Sequence, residues 1–211
     1  MSSAKTRILA SIREGLGRRA PSEAEDTAGN PPPSSRPRWR EPRIERFLGC
    51  FERAAGSWAR IETADQIPAA AADFLQGQSA VRLRLSGQPA LQNLRWPADW
   101  EVKVDPQDAE AWPAAIAVAA LGVAETGSVV MTSSPECPAA GHFLPDDHLI
   151  VLQARHIVDY LEEVWERLQA PGQSMPRAVN LITGPSRTAD VEQTMQLGAH
   201  GPRRVHLLLL G

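Results

Sequence analysis

The chain has 211 residues, of which 43% are hydrophobic and 22% charged, and this length suits one main domain with one sizeable core. Its formal net charge of -3 argues against a nucleic-acid-binding protein, since such proteins gather a basic excess on one face. No apolar run reaches the roughly 18 residues of a membrane helix and no signal peptide is recognisable, so we expect a cytoplasmic protein without a membrane span.

At the front of the chain, apolar residues recur at helical spacing from Ile8 to Leu16 and predict a short helical arm over residues 1–17. Residues 18–43 are rich in Pro, Ser, Arg and Glu, which is typical of an extended linker. The compact domain is predicted to span residues 44–211 and to open with an amphipathic helix.

Further along, helices are predicted over residues 65–75, 157–168 and 189–195, with short strand-like runs around them. Several of these runs are continuously apolar rather than alternating, which is typical of strands that are covered on both faces. We therefore predict an α/β fold with an open, mostly parallel sheet flanked by helices. The strand-like runs are residues 80–85, 101–104, 116–123, 128–132, 148–152, 178–182 and 205–210.

The cysteines of the chain limit its redox chemistry, because only Cys50 and Cys137 are present. An iron–sulfur cluster generally takes about four protein ligands. We therefore expect no cofactor in this chain, and in a reducing compartment we expect two free thiols rather than a disulfide.

A turn at residues 124–128 lies between two apolar runs and is the first candidate site in chain order. Glu125 would be held there at a sheet edge among buried neighbours, where a carboxylate can have a raised pKa and act as base, acid or nucleophile. Alternatively, the segment is a hairpin turn in which Gly127 supplies unusual backbone angles and Thr126 bonds the backbone. Both interpretations stay open, with Glu125 as a catalytic candidate and Thr126 and Gly127 as ligand contacts.

The segment 136–148 contains Cys137 and several His and Asp residues, which are the residue types that bind metals. Their spacing matches no compact ligand motif, so we expect no metal site. A nucleophilic role for Cys137 is equally weak, since no sequence feature supplies a paired base.

The loop at residues 184–192 follows a predicted strand and opens a predicted helix. In open α/β sheets, ligands bind beyond the carboxyl ends of the strands. Free amides at a helix start, two hydroxyls and a guanidinium together make an anion site. Alternatively, a hydroxyl of this loop only caps the helix. The candidate anion ligands are Gly184, Ser186, Arg187, Thr188 and Asp190.

A turn over residues 198–204 leads into the last strand and contains His200. A histidine can titrate near neutral pH, so His200 is the second catalytic candidate. The alternative is a hydrogen-bonded turn residue without a catalytic role.

Four stretches, taken in their order and spacing, resemble the LUD domain of the lactate utilisation protein C family. The resemblance extends over residues 44–211, and the helical arm and Pro-rich linker are also similar to those of the family. This chain has Phe143 where many relatives have a serine. The stretches are Glu125-Thr126-Gly127-Ser128, Leu144-Pro145 with His148-Leu149-Ile150-Val151, Gly184-Pro185-Ser186-Arg187-Thr188-Ala189-Asp190-Val191-Glu192, and Gly198-Ala199-His200-Gly201-Pro202.

The resemblance implies the α/β fold of the sugar-phosphate isomerase and CoA-transferase group. The resemblance also implies that the chain acts together with two iron–sulfur proteins that oxidise L-lactate to pyruvate. The iron–sulfur clusters would then be bound by those partners. A small carboxylate or phosphate is then the expected ligand of the 184–192 loop. Two other functions remain open: a stand-alone acyl- or CoA-transferase-like or isomerase-like enzyme that uses Glu125, and a ligand-sensing scaffold that docks through residues 1–17.

Overall fold

The computed structural model of this chain describes residues 4–15, 36–77, 81–105, 112–170, 174–189, 195–197 and 200–211. The chain forms two compact units, Met1–Arg40 and Glu41–Gly211. In the described residues the helices are α1 (Ala4–Gly15), α2 (Arg43–Arg53), α3 (Ile67–Phe74), α4 (Pro89–Gln92) and α5 (Leu161–Leu168). None of these helices is long and apolar enough to cross a membrane.

The strands of the second unit form three separate sheets among the described residues. In chain order they are β1 (Ser57–Ile61), β2 (Arg82–Leu85), β3 (Glu101–Val104), β4 (Ala114–Val118), β5 (Leu121–Val123), β6 (Ser128–Thr132), β7 (Asp147–Gln153), β8 (Ile157–Val158), β9 (Val179–Ile182), β10 (Arg187–Ala189), β11 (Met195–Leu197) and β12 (Arg204–Leu210).

The largest sheet has six strands in the order β1-β12-β7-β4-β2-β3, and every neighbouring pair is parallel. One face carries the main core, in which Leu85, Ile116 and Leu149 stand side by side with α3 packed over them. Because side chains alternate between the faces of a strand, the next row points to the opposite face. That row contains Arg84, Ala115 and His148. The predicted open, parallel α/β sheet flanked by helices is thus confirmed.

A second sheet has the order β8-β5-β6-β9, with β5 and β6 forming an antiparallel hairpin. Its existence corrects the prediction of one strand over residues 116–123. The amide of Ala119 donates to Val151 in the large sheet (2.8 Å), whereas the amide of Ala120 donates to Val130 in the small one (2.9 Å). The chain therefore changes sheets between these two alanines, which a continuous apolar run does not reveal.

Two of the predicted helices are present in the structure with changed boundaries. The helix expected over residues 65–75 is a short 3-10 turn (Ala64–Gln66) that continues into α3. The helix expected over residues 157–168 is preceded by β8 and starts at Leu161, after a capping contact from the Tyr160 amide to Glu163 (3.1 Å).

The helix predicted over residues 189–195 is wrong where the chain is described. Arg187–Ala189 and Met195–Leu197 are the two strands of an antiparallel pair, with Arg187 opposite Leu197. Residues 190–194 lie outside the described residues. The apolar spacing of so short a segment fits a paired strand as well as a helix, and the pairing decides between them.

Candidate functional site

The turn at residues 124–127 connects the two strands of the β5–β6 hairpin. The amide of Gly127 donates to the Val123 carbonyl (2.8 Å), and Gly127 has a φ of +71°. A Cβ at this position would lie 2.6 Å from the backbone carbonyl carbon of Cys50 in α2. The segment is therefore a hairpin turn that packs against the end of α2, and glycine is required there for both its angle and its size.

The half-buried Glu125 lies in this turn and faces the start of α5. Its carboxylate accepts a hydrogen bond from the amide of Leu161 (3.3 Å), the first residue of the helix, and its own amide donates to Asp159 (3.0 Å). A carboxylate at a helix N-terminus is favourably placed against the helix dipole. This contact gives Glu125 a structural role, while its catalytic role stays a prediction.

A chain of hydroxyl groups joins the hairpin turn to the loop after β9. The Ser128 hydroxyl lies 2.7 Å from that of Thr126 and 2.6 Å from that of Thr183. The antiparallel pairing of β6 with β9 places Val129 opposite Ile182, so the start of one strand meets the end of the other. Two segments more than fifty residues apart in sequence thus share one edge of the small sheet.

The loop at residues 183–186 also packs against α2 and reaches the turn before β12. Gly184 has a φ of +88°, and a Cβ there would overlap the carbonyl oxygen of Ala54 at the end of α2. The amide of Ser186 donates to the Pro202 carbonyl (2.9 Å), and a Cβ on Gly201 would lie 3.1 Å from that of Ser186. Three of the family-like stretches therefore meet in space.

Other features of the predicted anion site differ in the structure. Arg187 is exposed and belongs to β10, so its segment does not supply the free amides of a helix start. Thr188 is in the same strand, but its side chain and the whole of Asp190 lie outside the described residues. His200 is exposed. Moreover, these loops follow strands of the small sheet or precede β12. None of them lies at the carboxyl end of the large parallel sheet, although that is where the sequence predicts the ligand site.

One face of the large sheet, near the carboxyl ends of β2 and β3, instead holds a buried polar cluster that sequence reasoning did not assemble. Its members are Arg84, Asp105, Cys137, His142 and His148. The Arg84 side chain, 6% exposed, donates to the carboxylate of Asp105, whose φ of +42° lies in the left-handed region. Sγ of Cys137 is 3.6 Å from Nε2 of His142, and the rings of His142 and His148 are 5.4 Å apart between centroids.

Burial and charge keep the imidazoles and the thiol of this cluster neutral. Burial, assisted by the positive charge of Arg84, lowers the pKa of His142 to about 4. Burial also lowers the pKa of His148 to about 3, with smaller effects from His142 and Arg84. Burial raises the pKa of Cys137, so the residue is a thiol rather than a reactive thiolate at neutral pH.

The side chains of this cluster are not arranged as a metal site. In the part of the chain that the structure describes, no three His, Cys, Asp or Glu side chains converge to hold a metal ion. The guanidinium of Arg84 supplies a positive charge at this place instead. Two sequence signals were available: the polar–apolar alternation of Arg82-Leu83-Arg84-Leu85, and Asp105 directly after a predicted strand.

Comparison with known proteins places this geometry in a family context. The family model of the LUD domain matches residues 44–210. The chain is 29% identical over 137 residues to lactate utilization protein C of Geobacillus thermodenitrificans, covering 59% of this chain and 57% of that protein. It is 28% identical over 136 residues to lactate utilization protein C of Bacillus subtilis, with the same two coverages of 59% and 57%.

Protein YkgG of Escherichia coli, an uncharacterized protein, is 33% identical over 98 residues, which cover 45% of this chain and 42% of that protein. The chain thus spans about half the length of the curated relatives that it matches. Among solved structures, a DUF162 family protein from Deinococcus radiodurans superposes with a TM-score of 0.58 at 19% identity. The match covers 83% of this chain and 100% of that chain, and it shows a shared fold.

Proposed function

The chain belongs to the LUD domain family, and on that premise we propose that it is a non-redox component of an L-lactate utilisation system. The similarity to lactate utilization protein C of two bacteria carries this proposal. We further propose that the chain works beside two iron–sulfur proteins that oxidise L-lactate to pyruvate. Its two cysteines support the assignment of the iron–sulfur clusters to the partner proteins, since two cysteines are too few to hold a cluster in this chain.

The proposed role includes a small carboxylate or phosphate ligand near the meeting point of the three family-like stretches. The hydroxyl chain at Ser128 and the exposed guanidinium of Arg187, which follows Ser186 in sequence, supply hydrogen-bond donors for an anion. Glu125 and His200 are the catalytic candidates of this proposal. Gly127 and Gly184 let the backbone approach α2 closely and so hold the two loops in place.

Reconstitution with the iron–sulfur partner proteins tests this role. L-lactate-dependent reduction of an artificial electron acceptor is measured with and without this chain, and association is measured by co-elution. Lactate oxidation that depends on the chain is the expected result. Partners that neither bind the chain nor lose activity when it is omitted would contradict the proposal.

A variant pair tests the ligand part of the role separately. Arg187→Ala removes the proposed anion contact, whereas Arg95→Ala removes another exposed arginine as the control. Only the first should abolish the thermal stabilisation that an anion confers, because a ligand that binds the folded state alone raises its stability. Equal responses of the two variants would remove Arg187 from the site.

A scaffold role is a second candidate, favoured by the surface of α1. Its apolar side chains Ile8, Leu9 and Ile12 are 59%, 41% and 51% exposed and recur at helical spacing. Such a stripe is typical of a helix that docks on another protein. Deleting residues 1–17 should then abolish association with a partner and leave ligand binding by the remaining unit unchanged; association that survives the deletion would exclude the arm as the docking element.

A further inference from the structure

Four buried polar atoms lack hydrogen-bond partners in one small region. Among the described residues, Nη1 of Arg84, Nδ1 of His142 and both ring nitrogens of His148 have no partner. Buried polar groups in folded proteins are nearly always paired with protein, water or ligand atoms. The concentration of unpaired atoms in one place therefore indicates that this region receives a polar group from outside the protein.

A cavity lined by Arg84 and His142, two of the three residues that hold these atoms, is partly open to solvent. It has a volume of about 10 Å³, which is room for one water-sized group. We call it the Arg84 pocket, and its polar walls are Arg84, Ser86, Asp105, Cys137 and His142.

The Arg84 pocket lies where the connections of the large sheet change direction. The chain leaves β2 towards β3 on one side, whereas it leaves β4 through the β5–β6 hairpin towards β7 on the other. Adjacent strands with diverging connections open a crevice at their carboxyl ends, and ligands of open α/β sheets bind in such crevices. Ser86 directly follows β2 and Asp105 directly follows β3, so both stand at this edge.

Packing supports the same topology. The connection after β2 contributes Leu91 to the core face that contains Leu85 and Val151. The connection after β4 lies on the opposite face, where a Cβ on Gly122 would lie 2.8 Å from the Leu152 side chain. Since Val151 and Leu152 are neighbours in β7, they point to opposite faces. The crevice between β2 and β4 is thus the topological switch point of the sheet.

We propose that the Arg84 pocket binds the carboxylate of a small monocarboxylic acid, with one carboxylate oxygen accepting a hydrogen bond from Nη1 of Arg84. Nη2 of Arg84 donates to the carboxylate of Asp105, and this contact fixes the direction in which Nη1 points. A charged donor prefers an anionic oxygen, and such bonds are about twice as strong as neutral ones. The space admits one water-sized group, so a single oxygen of the ligand would enter it and the remainder of the ligand would lie towards solvent.

The chemistry of the other walls fits the same ligand. The imidazole of His142 offers Nδ1 and the thiol of Cys137 offers a weak donor, so either can bond the carboxylate or a hydroxyl next to it. The charge of Arg84 is already offset by Asp105, so the pocket disfavours a ligand that brings more than one negative charge. This site is separate from the loops around Ser186, and the choice of L-lactate and pyruvate as its probes rests on the proposed function.

Cavity filling tests the Arg84 pocket without removing a charge. In Gly141→Ala, the new Cβ would lie 2.8 Å from Nη1 of Arg84 and occupy the approach of the ligand. Gly49→Ala is the matched control, because its Cβ would meet only the Arg53 side chain at 3.5 Å. Thermal unfolding of each variant shows whether it is folded.

Isothermal titration of the full chain with L-lactate, pyruvate and inorganic phosphate is the measurement. We expect one of the two carboxylates to bind the wild type and Gly49→Ala with similar affinity, and Gly141→Ala to bind it about tenfold more weakly or worse.

Each contrary result has a distinct meaning. Carboxylate binding that Gly141→Ala retains at the wild-type affinity would overturn the Arg84 pocket. No carboxylate binding to the folded wild type would overturn the pocket as well, and the unpaired atoms would then be satisfied by internal water alone. In both cases the reconstituted lactate oxidation still decides separately whether the proposed function holds.

Discussion

Mild acid should destabilise this protein because three of its histidines are buried in the neutral state. Burial lowers the pKa of His148 to about 3, and of His142 and His206 to about 4 each. In the unfolded chain these groups titrate near 6.5, so below that pH the unfolded state binds more protons than the folded state. Stability is therefore constant with respect to these groups above pH 6.5 and is lost as the pH falls towards 4.

The magnitude follows from the separation of the two pKa values. At pH 5 each histidine is protonated in the unfolded chain and neutral in the fold, which costs about 2 kcal/mol per group and about 6 kcal/mol for the three. A domain of this size typically has a free energy of unfolding of about 5–15 kcal/mol. The loss is thus a large part of the total.

Urea denaturation at pH 8.0, 6.5 and 5.0 measures the loss, and His148→Asn isolates one of the three groups. The variant should lose about 2 kcal/mol less than the wild type between pH 6.5 and 5, whatever its stability at pH 8. Ile150→Val, at a buried position of the same strand, is the control and should shift stability by about 1 kcal/mol equally at every pH. A His148→Asn variant with the full pH dependence of the wild type would refute the reasoning.

Three further substitutions test single contacts. Glu125→Gln keeps an oxygen that can accept the first amide of α5, so the melting temperature should hold within a few degrees, and a loss of turnover in the reconstituted system would mark the carboxylate as catalytic. Gly184→Ala should cost about 1–3 kcal/mol in urea, because its φ of +88° and the nearby Ala54 carbonyl both oppose a side chain; unchanged stability would refute that requirement. Asp147→Asn weakens a two-bond pair with Arg204 (2.6 and 2.7 Å) and should cost about 1–2 kcal/mol, reduced because Arg204 is 48% exposed; a larger loss at 1 M salt than at 0.1 M would contradict this origin.

The amino-acid sequence is sufficient for the class of fold and for many of its elements. The runs at residues 101–104 and 128–132 coincide with β3 and β6, since a short apolar or β-branched run between polar neighbours is a local signal. The continuously apolar runs in β4, β7 and β12 indicate a sheet covered on both faces, and the six parallel strands agree with it. The order and spacing of four short stretches also indicate the LUD domain family, which the match over residues 44–210 confirms.

Only the tertiary structure decides how these elements are assigned to sheets and which side chains meet. The change of sheet between Ala119 and Ala120 depends on which distant strand each amide finds, and no local pattern contains that information. The Arg84 pocket depends on the register that sets Arg84, Ala115 and His148 in one row, far apart in sequence. Periodicity is a property of neighbouring residues, whereas strand register is set by packing of the whole sheet, so the sequence predicts the strands and the fold creates the site.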